Sequence, residues 1–467
     1  MPKLNELTAE IDRLANQLAA DVVGMKESSD YYEAEYRLRS IGISVPSQMR
    51  ALTACIGWPR MYLDSIEERL DIEGFRLGSS PDVVEEIQDW WQSNDLDEES
   101  GLAHLEAMIY GRSYITIAHP GDGAEYPDVP VIRVESSRNM IAETDPRTRE
   151  VTRALRVYKS EDDPDEDRFT LFLPDATYFF AKRANGGWFI EDTVEHNLGI
   201  VPVVPLLNRE RLADRHGRSE ITPELRSFTD AAARIMMDMQ AAAELMAVPQ
   251  RILFGVDPDQ IAPGGSGAEV FNAYMAQILA INDPEGKAMQ FQAAELMNFV
   301  NVLEELSKHV ASYTGLPPQY LSFSSENPAS AEAIRSSESR LVKKCERKAR
   351  MFGGSWEKVM RIAYRVMDIE PPEDLRRLET IWRDPSTPTF AAKADAVSKL
   401  YANGTGIIPK ERARIDLGYS TEEREQMKSW DDDDAMSAAV ALAASFAERT
   451  AGGPPEPEQA PDEEQPE

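Results

Sequence analysis

The sequence predicts an α+β fold, mainly helical with one β-rich stretch, and two observations carry that prediction. Apolar residues recur at three- and four-residue spacing near the N-terminus and again from Thr222 onward, the period of amphipathic helices. Between Ser113 and Leu207 that period gives way to short runs rich in β-branched and aromatic residues, broken by Pro, Gly, Asp and Asn, which reads as a set of strands.

In chain order, Leu4, Leu7, Ile11, Leu14, Leu18 and Val22 define a first helix, and further helices are expected over Asp30 to Ser40, Pro81 to Asp95 and Glu98 to Gly111. The strand-like runs are SYITIAH, VPVIRVE, ALRVYKS, RFTLFL, TYFFAKR, GWFIED and VPVVPLL, with ANGG as a hairpin signal between the fifth and sixth. A long helix follows from Thr222 to Val248, with Leu225, Phe228, Ala232, Ile235, Met239, Ala242 and Met246 at 3,4 spacing, and Pro249 ends it. A Gly- and Pro-containing excursion leads to a second such helix, Glu295 to Tyr313, striped by Leu296, Phe299, Leu303, Leu306 and Val310.

The stretch TGLPPQYLSFSSENPASAEA then joins two charged helices with hardly any charge of its own. Asn327 before Pro328 marks a helix start, and the helix is expected to run from Ser330 through Met367, with a break at Gly353-Gly354. An extended LETIWRD, a helix over Thr389 to Tyr401 and a small helical unit ending in IDLGYSTEEREQM complete the ordered part. The last twenty residues, rich in Pro and Glu, read as a disordered acidic tail.

The 467 residues suffice for two or three domains, and two cysteines cannot build a disulfide framework or a Cys-rich zinc site. Cys55 and Cys345 are expected to pack as small apolar groups, and Trp356 as an interior or subunit-contact anchor. No export signal or membrane-spanning run is expected. A net charge of −32 argues against tight nucleic-acid binding, which draws on Lys and Arg to neutralise phosphates. The charge is uneven: Arg335 to Arg365 holds ten basic residues against three acidic, whereas Ser420 to Glu467 holds fourteen acidic against three basic. The basic island reads either as a face paired with an acidic neighbour or as a contact for a polyanion.

No catalytic motif is present: no P-loop, no HExxH, no GxSxG, no dinucleotide fingerprint. The five histidines are not spaced as metal ligands, Asp431 to Asp434 reads as a solvated acidic run, and GGSG at Gly264 to Gly267 as a loop tip. No catalytic residue, metal or cofactor is expected. The Ala- and Met-rich stripes of the two long helices suit packing against copies of the same chain, and such contacts close into rings when the rotation permits.

The order of these parts resembles the portal proteins of tailed double-stranded DNA bacteriophages, of the long, non-contractile-tailed type. The resemblance rests on HNLGIVPVVPLLN, the helix, insert and helix of Thr222 to Tyr313, TGLPPQYL with ENPASAEAIRSSESRL, WRDPSTPTFAAKADAVSKLYANG, and IDLGYSTEE. It runs from about Ile43 to Gln426. It implies a ring of twelve subunits at one capsid vertex, the channel for DNA packaging and ejection, docking first the terminase large subunit, which hydrolyses the ATP, and then head-tail adaptor proteins. The major capsid and scaffolding proteins are further implied partners, with assembly in the host bacterial cytoplasm and no membrane. Residues 1–221 and 330–415 would form the wing, 222–248 and 294–315 the stem, 249–293 the clip, 316–329 a tunnel loop, and 416–467 the crown with its tail.

On that reading the uncharged side chains of Gln319, Tyr320, Ser322, Ser324, Ser325 and Asn327 would touch passing DNA without holding it. Arg335, Lys343 and Lys344 would supply transient phosphate contacts. Leu225, Phe228, Ile235, Met239, Leu296, Phe299, Leu303 and Leu306 would pack the stem between subunits. The alternatives are a metal-dependent nuclease or other enzyme using the acidic runs, and a helical scaffold or adaptor with no DNA role.

Overall fold

The computed structural model describes residues 4–35, 54–78, 83–121, 123–160, 163, 166–183, 187–247, 251–254, 278–281, 296–321, 331–386, 388, 390–402, 405–419, 423–424, 426–433, 436–437 and 440. The chain divides into two units, Met1–Ser386 and Thr387–Glu467.

In the first unit, helix α1 (Leu4–Tyr32) buries Leu7, Ile11, Leu14 and Leu18. It extends past the apolar series that ends at Val22, Gly24 costing only its modest propensity penalty. That stripe packs on one face of a five-stranded antiparallel meander, in order β4 (Met140–Thr144), β5 (Val151–Lys159), β6 (Glu166–Phe172), β7 (Ala176–Arg183) and β8 (Trp188–Glu195). The face against α1 consists of Ile141, Leu155, Phe169, Leu171, Tyr178 and Phe180. Residues of opposite parity, Met140, Ala154 and Phe172, pack instead on Tyr114 and Val203 of a three-stranded sheet and on Val201 just before it. That sheet has the order β3 (Val131–Ser136), β2 (Arg112–Ala118), β9 (Val203–Leu207). All seven strand-like runs are strands; β4 escapes the sequence reading because MIAET has a single β-branched apolar residue. The ANGG turn lies mostly outside the described residues, but β7 and β8 do pair antiparallel.

The principal core joins α2 (Trp58–Glu67), α3 (Glu85–Ser93) and α4 (Leu96–Tyr110) to the long α8 (Ala331–Val366). Trp91 meets Trp356 edge-on at 5.0 Å between ring centres and Phe75 at 5.4 Å, contacts worth about 0.5–1.5 kcal/mol each beyond area burial. Trp356 is thus an interior anchor. The first strand, β1 (Ile72–Leu77), pairs with β12 (Leu378–Trp382), so the segment after α8 returns beside the N-terminal helices.

The expected break at Gly353-Gly354 does not occur; α8 is one helix of 36 residues. A Cβ at Gly353 would lie 3.1 Å from the Trp382 indole nitrogen, so this glycine admits β12 against the helix rather than ending it. Of the cysteines, Cys345 is buried as expected, whereas Cys55 is exposed, a correction whose reason is local: it lies in the irregular approach to α2, off any apolar stripe.

The stem-like pair is α5 (Pro223–Ala247) and α6 (Leu296–Thr314), which pack on each other. From Leu225 the stripe buried on α5 runs through Thr229, Ala232, Ala233, Met237 and Ala241, so the alanines face inward beside Leu225 and Met237, and Ile235 and Met239 stay half-exposed. Small residues at the contact let two helices approach closely. Between these helices, the described residues of the excursion form a parallel pair, β10 (Arg251–Phe254) with β11 (Ile278–Ile281).

After α6 comes a short turn, α7 (Pro318–Leu321). The second unit contains α9 (Phe390–Tyr401) and α10 (Lys410–Leu417). In it Asp431, first of the acidic run, accepts from Arg414 at 2.7 Å and pairs with Lys410, so it is part of an ion-pair cluster with Glu411 and Arg424. The division between the units falls at Ser386, inside the segment 330–415 expected to be one return to the wing.

Candidate functional site

Where α8 passes beneath the start of α5, four segments contribute to one buried polar node. Residues 341, 345, 348, 352 and 356 form a stripe at 4,3,4,4 spacing on α8, and Lys348 lies on that stripe among Leu341, Cys345, Phe352 and Trp356. Its ammonium pairs with the buried carboxylate of Glu220, just before α5, and with the side-chain oxygen of Asn208, just after β9. Asn208 donates to Glu220 at 3.0 Å and to the Arg218 carbonyl at 2.7 Å. The Tyr62 hydroxyl of α2 donates to the other Glu220 oxygen at 2.8 Å and accepts from Lys344.

Burial alone would raise the Glu220 pKa, but the Lys348 and Lys344 charges, with hydrogen bonds from Lys348 and Asn208, bring it down to about 2. Burial lowers the Lys344 pKa against the pull of Glu220, and burial next to Glu220 raises the Tyr62 hydroxyl well above its ordinary value. The node is therefore an ionised carboxylate held by two ammonium groups, an amide and a phenol. It pins the base of α5 to α8 and α2, which is structural work, with no group placed for transfer chemistry.

Of the expected phosphate contacts, Lys344 is half-buried and bonded to the Tyr62 hydroxyl near Glu220. Its charge is spent inside the chain on Tyr62 and Glu220, because it sits one turn from Lys348 on the inward side of α8. Lys343 faces solvent, pairing with Glu346 at 2.7 Å, and Arg335 is exposed.

The near end of the uncharged stretch is packed. Leu316 is buried, Gln319 donates to the Ser337 hydroxyl at 3.0 Å, and the Tyr320 hydroxyl donates to Glu338 at 2.8 Å while accepting from Arg69 at 2.9 Å. Residues 318–321 are in this way tied to the first turns of α8. Ser322, Ser324, Ser325 and Asn327 lie outside the described residues. The sequence carries no local sign of these partners, since Arg69 lies 251 residues and Glu338 18 residues from Tyr320.

Among the stem residues, Leu225 is fully buried within the chain, Phe228 stacks parallel on His309 with centres 6.1 Å apart, and Leu303 and Leu306 pack against the principal core. Ile235, Met239 and Phe299 are half-buried and Leu296 is exposed, beside Met297, Val300 and Val302, of which Met297 is 63% exposed. Among the described residues no group of three or more His, Cys, Asp or Glu side chains could hold a metal ion, and no helix is long and apolar enough to cross a membrane.

Comparison with known proteins places these features in context. A family profile described as phage portal protein, SPP1 Gp6-like, matches residues 11–439. The portal proteins of Mycobacterium phages L5 and D29 are each 53% identical to this chain over 439 residues, covering 93% of it and 90% of the relative. A solved structure titled the neck of a native GTA particle, computed with C12 symmetry, aligns over 82% of this chain and 96% of its own at 13% identity, with a TM-score of 0.40. That likeness adds nothing to the sequence match.

Proposed function

The chain belongs to the SPP1 Gp6-like family of phage portal proteins, and from that premise we propose how its parts divide the work. A portal protein is a structural virion component, the head-tail connector through which the genome is packaged. The observation that carries the reading is 53% identity across nearly the whole chain to two phage portal proteins. Neither an enzyme built on the acidic runs nor an unrelated scaffold is favoured by it. Portal proteins form oligomeric rings. Here we propose a ring of twelve at one capsid vertex, assembled in the host cytoplasm, whose partners are double-stranded DNA, the terminase large subunit, a head-tail adaptor, and the major capsid and scaffolding proteins.

In this reading residues 1–221 and 330–415 form the wing, α5 and α6 the stem, 249–293 the clip, 316–329 the tunnel loop and 416–467 the crown and tail. The stem packs between subunits through Ile235, Met239, Leu296 and Phe299 together with Met297, Val300 and Val302. These are among the apolar groups of the α5–α6 pair that the chain's own core leaves half-exposed or exposed. Leu225, Phe228, Leu303 and Leu306 hold α5 to α6 and the core.

The tunnel loop presents Ser322, Ser324, Ser325 and Asn327 to the passing duplex, and Gln319 and Tyr320 anchor its near end. A single Lys in this loop would become about twelve positive charges around the duplex, and each neutralised phosphate strengthens salt-dependent binding. A neutral loop touches the backbone and releases it, while the acidic balance of the chain keeps DNA centred. Arg335 and Lys343 remain the transient phosphate contacts.

Two measurements test this. The mass of purified particles should correspond to a closed ring with a central hole, and a stable monomer under assembly conditions would remove the ring. Heads assembled with Ser324→Lys and Ser325→Lys should begin to fill and then stall, leaving packaged DNA short; full-length genomes in those heads would sink the account of the loop.

A further inference from the structure

Strand β8 is the edge of the five-stranded sheet, and it is unusually bare. One backbone edge pairs with β7, the other carries no strand among the described residues, and six of its eight residues are exposed. It shows solvent Phe189 (38%), Ile190 (43%) and Val194 (45%), alongside the exposed acids Glu191, Asp192 and Glu195. Natural edge strands are blunted by charges, Pro, bulges or a covering segment; β8 has no Lys or Pro, and its only such devices among the described residues are its three acids and a bulge opposite Phe179 and Phe180. Its neighbours Lys182 and Arg183 lie over the Trp188 and Phe189 rings, Arg168 pairs with Glu191 at 3.6 Å, and Val194 and Glu195 border a cleft.

At the opposite edge of the same sheet stands a surface of complementary character. Residues 208–218 form a loop whose base is tightly closed: Asn208 N donates to the Gly111 carbonyl at 2.8 Å, and Arg218 N to the Asn208 carbonyl at 2.8 Å. Gly111 and Gly217, both with positive φ, are in direct contact there, and a Cβ at Gly111 would lie 2.7 Å from the Arg218 nitrogen. This rigid base presents Arg211, Leu212 and Arg215 to solvent, with Leu212 85% exposed. Residues 209–218 hold four Arg against Glu210 and Asp214, a basic protrusion on a chain of net charge −32. His216 of the loop lines one cleft with Ile141 to Thr144 of β4, which fixes the loop beside the edge farthest from β8. Four interstrand spacings, roughly 19 Å, separate the two edges.

An acidic apolar strand at one edge and a basic loop with a bare leucine at the other are the two unlike halves of a head-to-tail contact, the kind that closes rings. We infer that the 209–217 loop of one copy of this chain docks on strand β8 of the next, with Leu212 against Phe189 and Val194, which share the face turned away from α1, and Arg211 and Arg215 facing Asp192 on that face and Glu195 at the strand's end. This contact is additional to the stem and rests on the ring reading above.

The test is charge exchange in the full-length chain, with ring and monomer separated by native mass spectrometry or sedimentation at low salt. Arg211→Glu with Arg215→Glu, and Asp192→Arg with Glu195→Arg, should each lower the ring fraction at least about tenfold, and all four changes together should restore it. Leu212→Ser, with every charge kept, should weaken assembly without altering the thermal unfolding of the monomer. The inference is overturned if either charge pair alone assembles as wild type, or if the four-residue exchange assembles no better than the pairs. A wild-type chain that never forms rings would overturn the ring reading itself, a different result from wild-type rings indifferent to these charges.

Discussion

Lys348→Met lowers the unfolding free energy by about 3–5 kcal/mol, whereas Lys343→Met, five residues away on the same helix, changes it by less than about 0.5 kcal/mol. Lys343 is a solvated charge paired with Glu346, and such pairs contribute little. Lys348 is buried against Glu220, so removing its ammonium leaves a carboxylate inside the core with only Lys344, Tyr62 and Asn208 to compensate. Glu220→Gln should be comparably severe, since it strands two lysines. The second half of the cycle separates pairing from packing. Adding Lys348→Met to Glu220→Gln should recover part of the loss, with a coupling of about 1–3 kcal/mol. Urea unfolding of the four proteins measures it, and strict additivity would show that Lys348 and Glu220 do not act as a pair.

The sign of the pH effect follows from the same node. Glu220 has a folded pKa depressed to about 2, so its contribution is fully present above its unfolded value of about 4.5 and is lost as pH falls from there toward 2. At neutral pH that contribution is on the order of 3 kcal/mol.

The legibility of these features varied with their periodicity. Strands carrying β-branched and aromatic runs were read directly, and so were α5 and α6, because a period of 2 or 3.6 survives any tertiary arrangement. Lys348 carried a readable signal that the charge count of the basic island concealed: it falls in the apolar series of Leu341, Cys345, Phe352 and Trp356, which marks a buried lysine needing an anion. Its partner Glu220 carried none, since it sits in an irregular segment 128 residues away. The stripe of α5 was read by size, with Ile235 and Met239 as the contact. The chain instead buries the alanines with Leu225 and Met237, because close approach to α6 favours small side chains, and Ile235 and Met239 are left half-exposed. Arg69, Tyr320 and Glu338 meet only through tertiary folding, which leaves no local mark in sequence.

His104 should make the first unit sensitive to mild acid. It lies fully buried on α4, stacked parallel on Phe352 with ring centres 5.0 Å apart, and beside Trp356 and Trp382. The Trp356 indole N–H donates to its Nε2 at 3.0 Å, which requires the neutral ring with its proton on Nδ1, an atom with no hydrogen-bond partner among the described residues. Burial drives its pKa down to about 3 from an ordinary 6.5. The stability held by the neutral ring is therefore complete above pH 6.5 and declines as pH falls below it, reaching a loss of about 3 kcal/mol at pH 4.5. His196, also lowered by burial, adds in the same direction, while Glu106 and Glu135, raised by burial, pull the other way. The difference between wild type and His104→Gln isolates the His104 share, because Gln still offers Trp356 an acceptor. At pH 7.5 the variant should be less stable by about 1–2 kcal/mol for the lost stacking and fit. By pH 4.5 the order should reverse, since only the wild type has a buried imidazole that must give up a proton it would bind when unfolded. Urea unfolding at intervals between these two pH values decides the matter, and a constant gap between the two proteins would show that His104 does not titrate across folding.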